Sequence, residues 1–427
     1  MRVLMLTQVA PNPPDAGPKV KTHYVLRTLA REHEVELLTF ARDEAEAEHA
    51  RRLAPWCARV TIVPLRRRRQ REPYYLARGW ATGTPFLVAR DARAAFTQAL
   101  VSRLASGEIA AVHADQLTMA QYLPLARAAG AWTVFDAHNA VWDLVRDLAR
   151  RQPTPAHRLA AELEWRLLRR FEGAACRSST LTLTVAPRDR ALLTEAAGQP
   201  IHAATIPIGV EAEEVTPVAT DPAATSLLSV ATMHYPPNAE ALRWFRDTVW
   251  PRVRAAHPAA RVDVVGPRPP ADLAQWGQAD ERAGVHGYVP DLAALYHAAA
   301  VFIVPLRSGS GVRVKILEAM ARGIPVVSTT IGAAGLDLHD GQHLLIADTP
   351  GQFAEAVLTL LRDPARRTAL AQAARARVLE LYDWRRCCQP VLAQYERLGT
   401  IAVPQASAAP RMNAAPASRK GGIGDGG

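Results

Sequence analysis

The chain is short of cysteine and holds no long apolar stretch, and both shortages narrow what it can be. Four cysteines occur among 427 residues, Cys57, Cys176, Cys387 and Cys388. Their spacing fits no zinc site, and the adjacent pair suits helix packing better than redox chemistry. No apolar run is long enough to span a bilayer. The opening MRVLMLTQV has one arginine but no longer apolar region with a cleavage site, and a Pro/Gly loop follows at once, so it reads as a first strand. A cytoplasmic location is expected. No G-x-G-x-x-G follows that strand, which argues against a dehydrogenase. No nucleic-acid-binding module accompanies the basic residues, so no nucleic-acid partner is expected.

What is present describes a large, ordinary globular chain. With 49% hydrophobic and 22% charged residues, it can bury two cores rather than one. The charge is uneven: residues 1–200 carry a net charge of +9 and the remainder +1. The densest basic stretch is Arg66 to Arg69 with Arg71, followed by Tyr74, Tyr75 and Trp80. Such a stretch is either a solvated loop or a patch for anionic lipid headgroups.

Apolar runs and amphipathic stretches alternate as in parallel sheets with helical crossovers. Seven strands are expected between Val3 and Pro207 and six between Ser226 and Ala347, with helices at Lys19–Arg31 and Ala156–Cys176 among those in the gaps. One passage stands out: VFIVPL, residues 301–306, is an apolar strand followed by RSGSGVRVKILEAMARG. Gly309 and Gly311 allow a close backbone approach, and a helix opening near Val312 would turn its N–H groups toward an anion. Glu318, about two turns further in, offers an acceptor for a ribose diol. Strand, glycine loop and helix also recur as plain connections in doubly wound sheets.

Glu318 with AMARGIPVV resembles the donor-site motif of retaining GT-B glycosyltransferases of family 4, and the resemblance extends over roughly residues 1–398. It implies two Rossmann-like parallel-sheet domains facing a cleft: residues 1–209 on the acceptor side, 210–381 on the donor side, a helix at 382–400 crossing back, and a disordered tail at 401–427. IPIGV resembles the family's interdomain hinge. The segment PNPPDAGPKVKTHYVLRTLA is similar to its first loop, which brings Gly17 near the donor, with Lys19 and Lys21 as possible added charge. FDAHNAVW implies that His138 contacts the transferred sugar, with Asp136 and Asn139 behind it and Asp115 of HADQ lining the acceptor side. In VHGYVPDLAALYHAA, Gly287 and Tyr288 would lie by the nucleobase and Asp291 would cap the next helix. SVATMHYPPNAEALRWF resembles the start of the donor domain, with Asn238 placed as an N-cap.

Many relatives hold the diphosphate there with an Arg and a Lys that this chain lacks. The cations available instead are Arg313, Lys315 and Arg268. Gly311 and Val312 would present backbone N–H groups. The family's first motif Glu falls on Ser310, a neutral group. That departure leaves three readings open: an enzyme using another sugar or backbone contacts, a scaffold of weak or no activity that binds nucleotide-sugars, and a same-fold epimerase. The resemblance implies sugar transfer from a nucleotide-sugar to a hydroxyl, on a glycan or lipid-linked acceptor, with possible peripheral contact to an anionic membrane. No metal or cofactor is expected, since no paired acidic motif suits a divalent ion on the phosphates.

Overall fold

The computed structural model describes residues 1–14, 17–67, 69–150, 152, 154–218, 221–309 and 311–400. The stretch expected to form a disordered tail lies outside them. Two all-parallel sheets organise the chain. The first contains β1 (Arg2–Thr7), β2 (Glu34–Ala41), β3 (Arg59–Pro64), β4 (Ala111–Asp115), β5 (Trp132–Ala137), β6 (Leu181–Thr184) and β7 (Ala203–Thr205), in the order β3-β2-β1-β4-β5-β6-β7. The second contains β8 (Ser226–Val230), β9 (Arg261–Val265), β10 (Ala283–His286), β11 (Ala299–Val304), β12 (Val326–Ser328) and β13 (Leu345–Ile346), ordered β10-β9-β8-β11-β12-β13.

Strand order reverses beside β1 and β4 in one sheet and beside β8 and β11 in the other. Ligands of open parallel sheets sit at such reversals, outside the carboxyl ends of the strands. The central strands are buried on both faces because helices cover each side. All six residues of β11 are buried, which is why an unbroken apolar run marks it in the sequence.

Helix α1 (Gly17–Leu29) buries Val20, Tyr24, Val25, Leu26 and Leu29 on the first sheet. Helices α2 (Glu72–Thr82), α3 (Val141–Arg150) and α4 (Pro155–Ser178) belong to the same domain. The second domain carries α5 (Pro236–Trp244) and α6 (Val314–Ala321) at its strand ends. The last helix, α7 (Gln389–Thr400), packs Val391, Leu392, Tyr395 and Leu398 into the core cluster that holds α1 and β1. Pro390 is accommodated near its start, where no intrahelical N–H is needed.

The chain passes between the domains near Gly209 and again near Trp384, and the two passages are joined. Val210 pairs with Asp383 in a parallel bridge, and the Asp383 carboxylate accepts the Glu213 N–H at 3.0 Å. A Cβ on Gly209 would lie 2.5 Å from Cys387 Sγ and 2.6 Å from Trp384 Cα, so only glycine fits. The Trp384 ring stacks on Tyr24 with centroids 5.1 Å apart, and Arg27, Arg31 and Arg385 lie over it. Such aromatic and cation contacts each add on the order of 1 kcal/mol to the burial of the ring.

Candidate active site

The donor-side loop runs from the end of β11 into α6. Gly309 and Gly311 have φ of +111° and +85°, conformations that side chains resist. Space is a second reason for glycine. Arg313 folds back so that its guanidinium donates to the Gly311 carbonyl at 2.5 Å, and a Cβ on Gly309 would come within 3.0 Å of it. Helix α6 starts at Val314, with Arg313 as an N-cap that makes no side-chain bond to the helix. Expected near Val312, the start therefore falls later, and Glu318 sits about one turn in rather than two. Val312 and Val314 pack against the first-domain core, so this loop and helix abut the other domain.

Charge in this loop is unusual. Lys315 is partly buried, and burial together with the like charge of Arg313 drops its amine to about 7. Burial also lowers the Arg313 guanidinium, and it raises the Glu318 carboxyl, with Arg322 acting the other way. Ser310 lies outside the described residues. Gly287 and Tyr288 follow β10; a Cβ on Gly287 would meet nothing, and the Tyr288 side chain is exposed. Arg268, with φ +55°, donates to His234 Nε2 at 2.8 Å. Asp291 accepts the Ala293 N–H at 2.9 Å, at the start of the next helix. Asn238 does not cap α5. It is the third residue of that helix, whose N-cap is Tyr235, and its side-chain amide donates to the Thr232 carbonyl at 3.0 Å.

Across from this, the first sheet ends in a buried polar cluster. His113 and Asp115 lie two apart on β4, and Asp136 is paired in register with Asp115, so period-two alternation turns all three to one face. The Asp136 carboxylate forms a salt bridge with Lys21 of α1, and both side chains are fully buried. Its other oxygen faces His113 Nε2 at 3.4 Å, while His113 Nδ1 meets the Tyr395 hydroxyl of α7 at 2.7 Å. Asp115 accepts from Thr22 Oγ1 at 2.8 Å, His138 Nε2 at 2.9 Å and Gln116 Nε2 at 3.2 Å. Lys21 and the neighbouring histidines hold Asp136 well below the usual carboxylate range against the opposing effect of burial.

Lys21, expected as loose charge for the donor, is thus a structural partner of Asp136. Gly17, expected in a loop, is the first residue of α1, and a Cβ there would meet nothing. His113, Asp115 and Asp136 could also hold a metal, their ligand atoms lying within 4.8 Å of one another. Each already faces a protein partner, and an ion would have to displace the Lys21 ammonium. Thr22 and Tyr395 escaped the sequence reading, and His113 entered it only as part of HADQ. The available signal was the polar pair at period two inside the otherwise apolar IAAVHAD.

Comparison with known proteins bears on the family and the fold. Residues 224–363 match the family Glycosyl transferases group 1. They form a group 1 glycosyl transferase domain. A D-inositol 3-phosphate glycosyltransferase of Kineococcus radiotolerans is 34% identical over 166 residues, 36% of either chain. An uncharacterized 44.6 kDa protein in the cps region of Klebsiella pneumoniae is 27% identical over 171 residues, 37% of this chain and 42% of that protein. The chain therefore spans less than half the length of these curated relatives.

Among solved structures, a sucrose-phosphate synthase from Thermosynechococcus elongatus superposes with TM-score 0.70 at 19% identity, over 94% of this chain and 100% of that one. Anabaena HepE in complex with UDP-glucose gives TM-score 0.64 at 14% identity, over 93% and 100%. The fold is GT-B, with the group 1 domain holding the glycine loop, Arg313, Lys315 and Glu318 and the other domain holding the His138 cluster.

Proposed function

We propose that the chain is a retaining glycosyltransferase that moves a sugar from a nucleotide-sugar to an acceptor hydroxyl in glycan, exopolysaccharide or glycolipid synthesis. The observation that carries this is the loop of Gly309 to Lys315, which gathers two cations with a helix start at the sheet's switch point and lies against the first domain. A departing nucleoside diphosphate develops negative charge, and groups already fixed in place stabilise it without reorganising. Arg313, Lys315 and the first N–H groups of α6 are suited to that task, with Glu318 taking the ribose hydroxyls. His138 would touch the sugar. Packing of the domains against each other would exclude water, the competing acceptor. The buried carboxylates are already engaged by protein donors, which supports a reaction that chelators leave unchanged.

Purified protein should release nucleoside diphosphate from one member of a nucleotide-sugar panel, faster when an acceptor is present. His138→Ala should slow turnover far more than it weakens nucleotide binding. Affinity without turnover would identify instead a nucleotide-sugar binding protein, one of the readings that the neutral Ser310 leaves open.

The acceptor side fits a lipid-linked glycan and peripheral contact with an anionic membrane surface. No helix among the described residues is long and apolar enough to cross a membrane. Tyr74 and Trp80 on α2 and Leu159 and Leu163 on α4 are exposed, and the two helices meet where Glu164 contacts Trp80. Arg66, Arg71 and Arg78 are exposed beside them. Arg67 is committed to the buried Asp91, with both contacts at 2.9 Å, and Arg68 lies outside the described residues.

A further inference from the structure

His138 carries a polar atom without a partner. Its side chain is 11% exposed, Nε2 is bound to Asp115 at 2.9 Å, and Nδ1 is buried with no hydrogen-bond partner among the described residues. An orphaned buried ring nitrogen is a cost to the fold unless something fills it. It lies just beyond β5, at the carboxyl edge of the sheet, where ligands bind. The carboxylate that holds the ring is itself deeply set. Asp115 is 1% exposed and accepts from Thr22 and Gln116 as well as from His138. Thr22 Oγ1 and Gln116 Nε2 both donate to this carboxylate, and an ionised carboxylate has no hydrogen to give, so the ring nitrogen facing it bears the hydrogen. In the neutral imidazole the other nitrogen is then a bare lone pair.

We infer that Asp115 is a positioning residue: it fixes the His138 ring with hydrogen on Nε2, so that Nδ1 accepts a hydrogen bond from a hydroxyl of the bound sugar. This rests on the transferase reading and adds to it the atom that meets the substrate and the residue that decides which atom that is. Thr22 is part of the same device. Donating to the same oxygen that His138 uses, it holds the carboxylate in place from α1, the helix that begins at Gly17. The neighbouring salt bridge of Lys21 with Asp136 is separate, since it shares no hydrogen bond with His138.

Nitrogen-15 NMR of the full chain labelled at histidine tests the inference before any catalysis is measured, with the His138 signals assigned by their loss in His138→Gln. Hydrogen on Nε2 and a bare Nδ1 are expected at neutral pH, and the Nδ1 signal should move when the nucleotide-sugar that the protein turns over is added. Asp115→Asn should scramble that state and lower kcat on the order of tenfold, the worth of one hydrogen bond. Affinity for the nucleoside diphosphate should stay within about twofold of the parent, because the groups proposed to hold the phosphates, Arg313 and Lys315, belong to the other domain. Thr22→Val should lower kcat less, again without a change in nucleotide affinity.

Hydrogen on Nδ1 in the unaltered protein, or a kcat for Asp115→Asn equal to the parent's, overturns the inference. If Asp115→Asn does not fold, the spectrum of the unaltered protein still decides the matter. If no nucleotide-sugar is turned over, the transferase reading fails on its own, and the state of His138 remains a separate, measurable result.

Discussion

The two domains present polar groups to each other in opposite ways. On the first, every strongly charged member of the buried cluster has a partner: Lys21 with Asp136, and Asp115 with Thr22, Gln116 and His138. On the second, Lys315 is partly buried beside another cation with no carboxylate against it among the described residues, and burial and that like charge displace its amine to about 7. A carboxylate against a buried lysine offsets much of the cost of burying the charge. Lacking one, the lysine is a standing cost that the fold would shed if nothing required it. The contrast teaches that the charges of the first edge are already paired in the free protein, whereas on the second two cations lie together, an arrangement suited to an anion.

Breaking the partnered side should have the largest effect. Lys21→Met leaves Asp136 charged and unpaired in the core, and about 3–5 kcal/mol of stability should be lost, read as a fall in the urea midpoint. Adding Asp136→Leu should recover much of it; no loss in the single variant would mean the salt bridge is not formed. Glu318→Ala comes next. It should cost about 1.5–3 kcal/mol in nucleoside diphosphate affinity by calorimetry, with the fold intact.

Lys315 sharpens the comparison most directly, through pH. Its amine is charged below about 7 in the free protein and neutral above, and a bound diphosphate favours the charged form. Binding above pH 7 should therefore take up a proton. Affinity should weaken as pH rises, by at most about tenfold per unit. Calorimetry in buffers of different ionisation heat measures the uptake. Lys315→Met should abolish the pH slope and leave stability equal or higher, and a slope that survives it would assign the proton elsewhere. The smallest effect concerns the outer surface of the first domain. Arg66→Ser should weaken attachment to anionic vesicles by about 1 kcal/mol, in a salt-sensitive way, and leave neutral vesicles unaffected. Equal binding to both kinds of vesicle would remove the case for a membrane face.

Much of the architecture was legible because parallel strands buried on both faces must be apolar throughout. The seven strands expected before Pro207 and the six after Ser226 correspond to β1–β13, differing mainly at their ends. Helix starts were harder. Val312 was expected to open α6 because it follows Gly311, but Arg313 turns back onto the loop first and the helix begins at Val314. Asn238 has the chemistry of a cap, yet two prolines before it had already started α5. Lys21 looked like loose charge because its partner Asp136 is 115 positions away, and no local pattern encodes such a pairing. The Asp115–His138 contact spans 23 positions and two strands. It emerges only when the parallel register sets the ends of β4 and β5 side by side.

The seam of Val210 with Asp383 has a mechanical consequence. Two chain passages stitched to each other act as a single pin, with Trp384 clamped beneath it. Bodies joined in this way can swing but cannot slide apart, and the swing is smallest at the pin and grows with distance from it. A slight turn at Gly209 would therefore displace groups far from the seam more than those beside it. Substitutions that loosen the pin would act through the path of the motion, changing how often the far rims meet without altering any group that touches the ligand.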